Sequence, residues 1–312
     1  MSLSTIFQKK RPHILWWQLI FQKEGSVVGV IAYRVLVCVS FAEFIAFLNT
    51  KGFPVHIPAA SNIIPSVVLG LLLVFRTNTA YERYWEGRRL WGDMTNAIRN
   101  LSRQIWVAVE ESNQGDRQSK IETLQLLPAF AVATKLHLRG YKVSPELAGL
   151  MSPERYDKLT TMNHPPLEIA FWIADYLQAQ YEEKKLALHQ LDSMFRLLDS
   201  IVNSLGGSER ILRTPVPQAY SIHLRQLLII YCFSLPFSFV KDLGWLTGIF
   251  VALISFTVFG IEAIGLEIEN PFGTDPNDIP LDNICENMQR NINDLITFSP
   301  AVRAWENSED II

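Results

Sequence analysis

Three ionisable residues, Arg34, Glu43 and Glu262, lie inside otherwise apolar segments. A charge at the centre of a bilayer costs roughly 2.5–3.5 kcal/mol on insertion scales, so an unpaired, lipid-facing position is disfavoured. Such groups either pair with each other and with helix ends, holding a bundle together, or line a path for ions. Pairing is the commoner role. A second polar group, Asp275, Asp278, Asp282 and Glu286, follows the last apolar segment. Carboxylates suit hard cations such as calcium, but an EF-hand pattern is absent, and Asp275-Pro276-Asn277-Asp278 equally suits a solvated turn. The six histidines (His13, His56, His137, His164, His189, His223) show no metal-ligand spacing. Cys38, Cys232 and Cys285 are far apart and odd in number, which fits neither a disulfide framework nor a zinc site. There is no glycine-rich phosphate loop, HExxH, GxSxG or Cys-x-x-Cys. The chain does not read as an enzyme.

The elements that must position these residues are of two kinds. Of the 312 residues, 49% are hydrophobic and 19% charged, with a mean hydropathy of +0.14. Those averages describe a membrane part joined to a water-facing part. A net charge of −3 is too small to imply a nucleic-acid partner. The first residues show no cleavable signal or transit pattern. Four segments approach the 20 or so apolar residues a span needs: 26–48, 59–75, 222–240 and 243–266. Basic residues gather before the first (Lys9, Lys10, Arg11, Lys23) and after the second (Arg76, Arg83, Arg88, Arg89). The positive-inside bias therefore predicts two hairpins with both termini and the central region in the cytoplasm.

Between the hairpins, apolar residues recur three and four apart at Met94, Ile98, Leu101, Ile105 and Val109, the period of a helix. Further helices are predicted over 121–138, 167–177 and 184–205, the last stopped by Gly206 and Gly207. No β-alternation stands out, so the fold class is all-α. The chain divides into 1–75, with the first hairpin; 76–220, a cytosolic helical insert; 221–267, the second hairpin; and 268–312, a cytosolic C-terminal segment.

The stretch Ile63–Trp91 links the two kinds of element. It has no charge before Arg76 and no proline after Pro65, and it turns polar and aromatic without a linker. This predicts one helix leaving a bilayer and running on into water. Its apolar half is hydrophobic all round. Ile63, Val67 and Leu71 form one stripe, Ile64, Val68 and Leu72 the next, and Asn62, Ser66 and Gly70 a small polar face. Periodicity does not choose among them.

Three motifs converge on one family. FRTNTAYERYWEGRRLWG (75–92), SERILRTPVPQAYSIHLR (208–225) and IENPFG (268–273) together resemble the bestrophin ion channels, in the bacterial, cyanobacterial and plant form. The resemblance spans nearly the whole chain. It implies a homopentamer around one central pore, each chain giving four transmembrane helices and a helical cytosolic region. It also implies a neck of pore-facing residues on the second transmembrane helix, which matching around Gly70 assigns to Ile63, Val67 and Leu71. Animal members have phenylalanine at two of these positions. A lower cytosolic constriction falls to Leu188 or Leu191. The acidic run that forms a calcium clasp in animal members is broken here by Pro276 and Asn277, leaving Asp275 and Asp278 as a weak calcium site and no required cofactor. Charged residues from Glu82 to Arg89 are expected to join subunits. The resulting expectation is a multi-pass channel of the cell's inner (plasma) membrane passing chloride, with bicarbonate or nitrate next. A sodium-selective channel of the same fold and a non-conducting membrane scaffold are the rivals.

Overall fold

The computed structural model describes residues 22, 25–57 and 63–298, the side chains of Ile63 and Ile64 excepted. The described residues are helical, without a strand: α1 (Val28–Thr50), α2 (Ile63–Ala108), α3 (Gln114–Leu138), α4 (Pro145–Ala148), α5 (Pro153–Thr161), α6 (Pro165–Glu182), α7 (Leu188–Arg213), α8 (Gln218–Leu243), α9 (Thr247–Glu267) and α10 (Leu281–Phe298). They form two compact units. One comprises residues 1–81, 216–269 and 275–277, and the other 82–215, 270–274 and 278–312. Residues 59–62 of the second expected span lie outside the described residues.

In the first unit, α1 packs against α9 and α8, and a 3₁₀ turn at Gly244–Leu246 joins α8 to α9. Val28–Thr50 and Gln218–Glu267 are long and apolar enough to cross a membrane. Ile31, Cys38, Leu69, Leu73, Leu228, Cys232, Val251 and Phe259 fill the core. The outward faces also stay apolar, with Tyr33, Leu36, Ile230, Ile249 and Leu253 exposed. A water-soluble monomer rarely shows a continuous apolar surface of this kind, whereas lipid or partner chains would cover it.

The second unit is built as a soluble domain is built. Asn113, Ser144 and Ser152 cap α3, α4 and α5 by accepting backbone N–H bonds from Asp116, Glu146 and Arg155. The core joins Trp91, Ile98 and Ile105 of α2 to Leu127 and Phe130 of α3, Ile173 of α6, Leu198 and Ile201 of α7, and Met288 of α10. The buried ammonium of Lys135 is shared by Glu146, at 2.7 Å, and Asp282, at 2.9 Å. Arg139 holds the same Asp282 at 2.9 Å and donates from Nε to the carbonyls of Phe272 and Gly273. Lys135 of α3 and Arg139, the residue that caps its C-terminus, thus fasten the start of α10 and the 270–274 segment.

The predicted end of the fourth soluble helix is wrong. The helix starts at Leu188, after Lys184 takes a left-handed turn (φ 62°), and runs through Gly206 and Gly207 to Arg213. Gly207 serves close packing here: a Cβ on it would lie 2.8 Å from Leu90 Cδ2 of α2, whereas Gly206 faces open space. Glycine lets two helices approach, and the gain in packing outweighs its cost of roughly 1 kcal/mol in propensity. Gly87 of α2 acts in the same way, since a Cβ there would stand 3.0 Å from the fully buried ring of Phe272 and 3.1 Å from Pro271.

Gly87→Val gains little helix propensity and drives three carbons into the Phe272 ring. It is expected to destabilise the protein by about 1–3 kcal/mol, read as a lower melting temperature with unchanged helix content. Acid should weaken the Asp282 clamp. The Arg139 guanidinium, assisted by Lys135 and opposed by partial burial, holds the Asp282 carboxyl down at about 2. This stabilisation is present above the unfolded carboxyl's ordinary value near 3.9 and is lost as pH falls from about 4 to 2. The Asp282 side chain is 62% exposed, so solvent screening limits the effect to about 1 kcal/mol or less. Asp282→Asn should remove that part of the pH–stability curve, and an unaltered curve would discard the clamp.

Candidate functional site

The candidate conduction surface is the first half of α2. The helix is 46 residues long and unbroken, and the core decides its faces. Leu69 and Leu73 are buried in the first unit. Residues two apart on an α-helix stand about 200° apart, so Val67 and Leu71 point away from that core. They are 67% and 55% exposed. Gly70 lies on the open side too, with nothing within 4 Å of a Cβ built on it. Ile63 opens the helix and its side chain lies outside the described residues. Packing thus turns Leu69 and Leu73 inward and leaves Val67 and Leu71 outward, together with Val68 of the neighbouring stripe.

Just beyond the stripe, Arg76 turns inward. Its side chain is almost fully buried and bonds Glu269 at 2.5 Å. The other oxygen of Glu269 accepts the Val216 N–H at 2.9 Å. The Tyr220 hydroxyl donates to the Leu72 carbonyl at 2.7 Å. These bonds tie α2 at its change from apolar to polar to the residues just after α9 and to the start of α8. Glu269 and Tyr220 belong to the IENPFG and TPVPQAY motifs, whose local role is therefore to anchor this helix.

Arg34 and Glu262, two of the three charges inside the apolar segments, pair with each other. Glu262 of α9 is buried and accepts from Arg34 of α1 at 3.1 Å and from Arg225 of α8 at 3.2 Å. Both guanidiniums remain part-exposed, so this cluster carries two positive charges and one negative. Glu43 does not join it. Its carboxylate occupies the space left by the absent side chain of Gly248, in an apolar groove of about 380 Å³ between α1 and α9.

The other candidates separate. Leu188 is 63% exposed at the first turn of α7, whereas Leu191 is 5% exposed and belongs to the core. Only Leu188 is therefore available to line a passage. Asp275 is exposed and Asp278 buried. Asp282 and Glu286 are engaged by cations of their own chain. Part of the expected subunit-joining set is also used within the chain. Arg83 donates to the carbonyls of Thr214 and Ile211, closing the end of α7, and Glu86 pairs with Arg210 at 2.9 Å. Arg88 and Arg89 stay exposed. Sequence spacing missed one convergence, that of His137, His164 and Glu209, whose ligand-capable atoms all lie within 4.8 Å of one another. Their separations of 27 and 45 residues give no local signal.

Residues 6–294 match the family described as Bacterial/Fungal Bestrophin protein. The chain is 60% identical over 294 residues to a voltage-dependent anion channel-forming protein of Nostoc sp., covering 94% of this chain and 96% of the relative. It is 53% identical to a protein of the same description from Synechocystis sp., over 96% of this chain and 97% of the relative. A relative so described in Escherichia coli is 33% identical, over 88% of this chain and 90% of its own length. Among solved structures, a bacterial bestrophin homolog from Klebsiella pneumoniae superposes with a TM-score of 0.79 at 28% identity, covering 86% of this chain and 99% of that one.

Glu262→Gln leaves Arg34 and Arg225 without a counter-charge. Because both arginines are part-exposed, the cost should fall somewhat below the 3–5 kcal/mol of a fully buried pair, at about 2–4 kcal/mol. Adding Arg34→Gln should restore part of that loss in a double-mutant cycle of melting temperatures. Strictly additive losses would mean the pair is not coupled.

Proposed function

The chain belongs to the bestrophin family of bacteria and fungi, and on that premise we propose that it forms a passive anion channel, chloride being the first permeant ion and bicarbonate or nitrate next. The observation that carries the proposal is the outward face of α2, an exposed apolar stripe directed away from the Leu69–Leu73 core. The description of the Nostoc, Synechocystis and Escherichia coli relatives as anion channel-forming proteins supports the choice of ion.

In this reading five copies surround one axis, and Ile63, Val67 and Leu71 of each form a neck. The neck bears no charge, so passage depends on the dehydration cost of the ion and on wetting of the constriction. Rings of valine and leucine are narrower in girth than rings of phenylalanine, which leaves a wider opening than the animal pattern. Leu188 lines the lower constriction. The spans are α1, the first part of α2, α8 and α9, in two hairpins whose basic flanks keep both termini and the insert in the cytoplasm. The membrane is the cell's inner membrane, and its edges divide the chain near residues 75, 220 and 267. Conduction needs no cofactor, and Asp275 and Asp278 offer a weak calcium site at most.

Reversal potentials in asymmetric NaCl across a planar bilayer are expected to move toward the chloride equilibrium potential. Movement toward the sodium value would establish the cation-selective rival, and a stable oligomer without current the scaffold. Val67→Ala and Leu71→Ala should each change unitary conductance or open probability severalfold by widening the apolar ring. Wild-type currents in both would remove the neck assignment.

A further inference from the structure

Three side chains from three helices of the second unit meet at one point. His137 lies in the last turn of α3, His164 is the N-cap of α6, and Glu209 stands on the part of α7 beyond its glycine pair. His137 Nε2 is 2.6 Å and His164 Nε2 2.9 Å from the same oxygen, Glu209 Oε1. The two rings are 4.4 Å apart with their planes 36° from parallel. Among the described residues this is the one group of three that gathers ligand-capable atoms in this way. All three side chains are partly buried, so each is held in place while solvent still reaches the cluster. Burial tends to raise the Glu209 carboxyl, but the hydrogen bonds from His164 and His137 outweigh it and hold the group below its usual range.

As they stand, the two imidazoles and the carboxylate form a hydrogen-bonded set, both rings facing one oxygen that can accept from each and His164 Nδ1 taking the Leu167 N–H as well. They are, however, a set of ligands that zinc accepts, with water in the fourth position. We propose that His137, His164 and Glu209 bind a first-row divalent cation, Zn²⁺ foremost, which fastens α3, α6 and α7 to one another.

The local geometry allows this with small adjustments. Bond lengths of about 2.0–2.1 Å in a tetrahedron put ligand atoms roughly 3.3–3.4 Å apart, so Glu209 Oε1 must draw about 0.7 Å away from His137 Nε2, now at 2.6 Å, and about 0.4–0.5 Å from His164 Nε2, now at 2.9 Å. The imidazole of His164 must then carry its proton on Nδ1, which now accepts the Leu167 N–H at 3.4 Å. That N–H keeps its shorter bond to the His164 carbonyl, at 3.1 Å, so the helix start loses little. Arg213 stands 3.6 Å from Glu209 and opposes a cation there. Its side chain is largely exposed and is free to swing into solvent. The site is independent of the conduction reading, because its readout requires no current.

The test is calorimetric titration of ZnCl₂ into untagged, chelator-stripped protein in detergent. One Zn²⁺ per chain is expected, with affinity at least tenfold lower in His137→Gln and Glu209→Gln, since even outer-shell changes at metal sites cost 10–100-fold. His189→Gln, an exposed histidine elsewhere on α7, should bind as the wild type does. Melting curves in chelator show whether each variant is folded. Zinc-edge absorption of the wild-type protein needs no variant and should report two imidazole ligands. No saturable binding, fewer than two imidazoles, or wild-type affinity in both substituted proteins would overturn the proposal.

Discussion

The structure depends on the continuity of α2. Forty-six residues form one helix, and each compact unit takes part of it. A proline further along would remove a backbone hydrogen bond and kink or break the helix. The prolines stop at Pro65, and Gly87 is packed against Phe272 rather than left as a joint. The bonds that fall on this helix then become intelligible. Arg76, Leu72 and Arg83 are each tied to a distant part of the chain within their own unit. The motif residues Arg76, Arg83, Tyr220 and Glu269 therefore serve largely to hold this helix.

Charge in the apolar unit is handled by sharing. One buried carboxylate, Glu262, serves two arginines from two other helices, which fixes α1, α8 and α9 at a common depth. The alternative, an isolated charge in lipid, is what insertion energies exclude. The same device recurs in the second unit, where Lys135 and Arg139 share Asp282. In both places a polar cluster sets the register between helices whose apolar contacts alone would tolerate sliding. The shared-oxygen arrangement at Glu209 differs. There two histidine Nε2 atoms face one carboxylate oxygen from two other helices, the geometry on which the proposed cation site rests.

Much of the architecture was legible from residue order. The unbroken α2, the apolar α1, α8 and α9, and the periodic helices of the insert all follow from runs and spacings within about 25 residues. Reading failed where a residue's role depended on what lay across from it. Gly206 and Gly207 look like a stop signal, but α7 runs through both, Gly207 admitting Leu90, and carries Glu209 and Arg210 into use. Leu188 and Leu191 are both plausible on a helical stripe, and only packing shows that Leu191 is core.

The sequence by itself determined that the chain is helical, that it has apolar and water-facing parts, and that a single helix joins them. Those are local properties, set by composition and period along the chain. Which face of α2 turns outward, which acid pairs with which arginine, and which histidines meet were decided only by the tertiary structure. An all-apolar helix carries no internal preference for one face, and residues dozens of positions apart acquire an energy of interaction only once the fold brings them within a few ångströms.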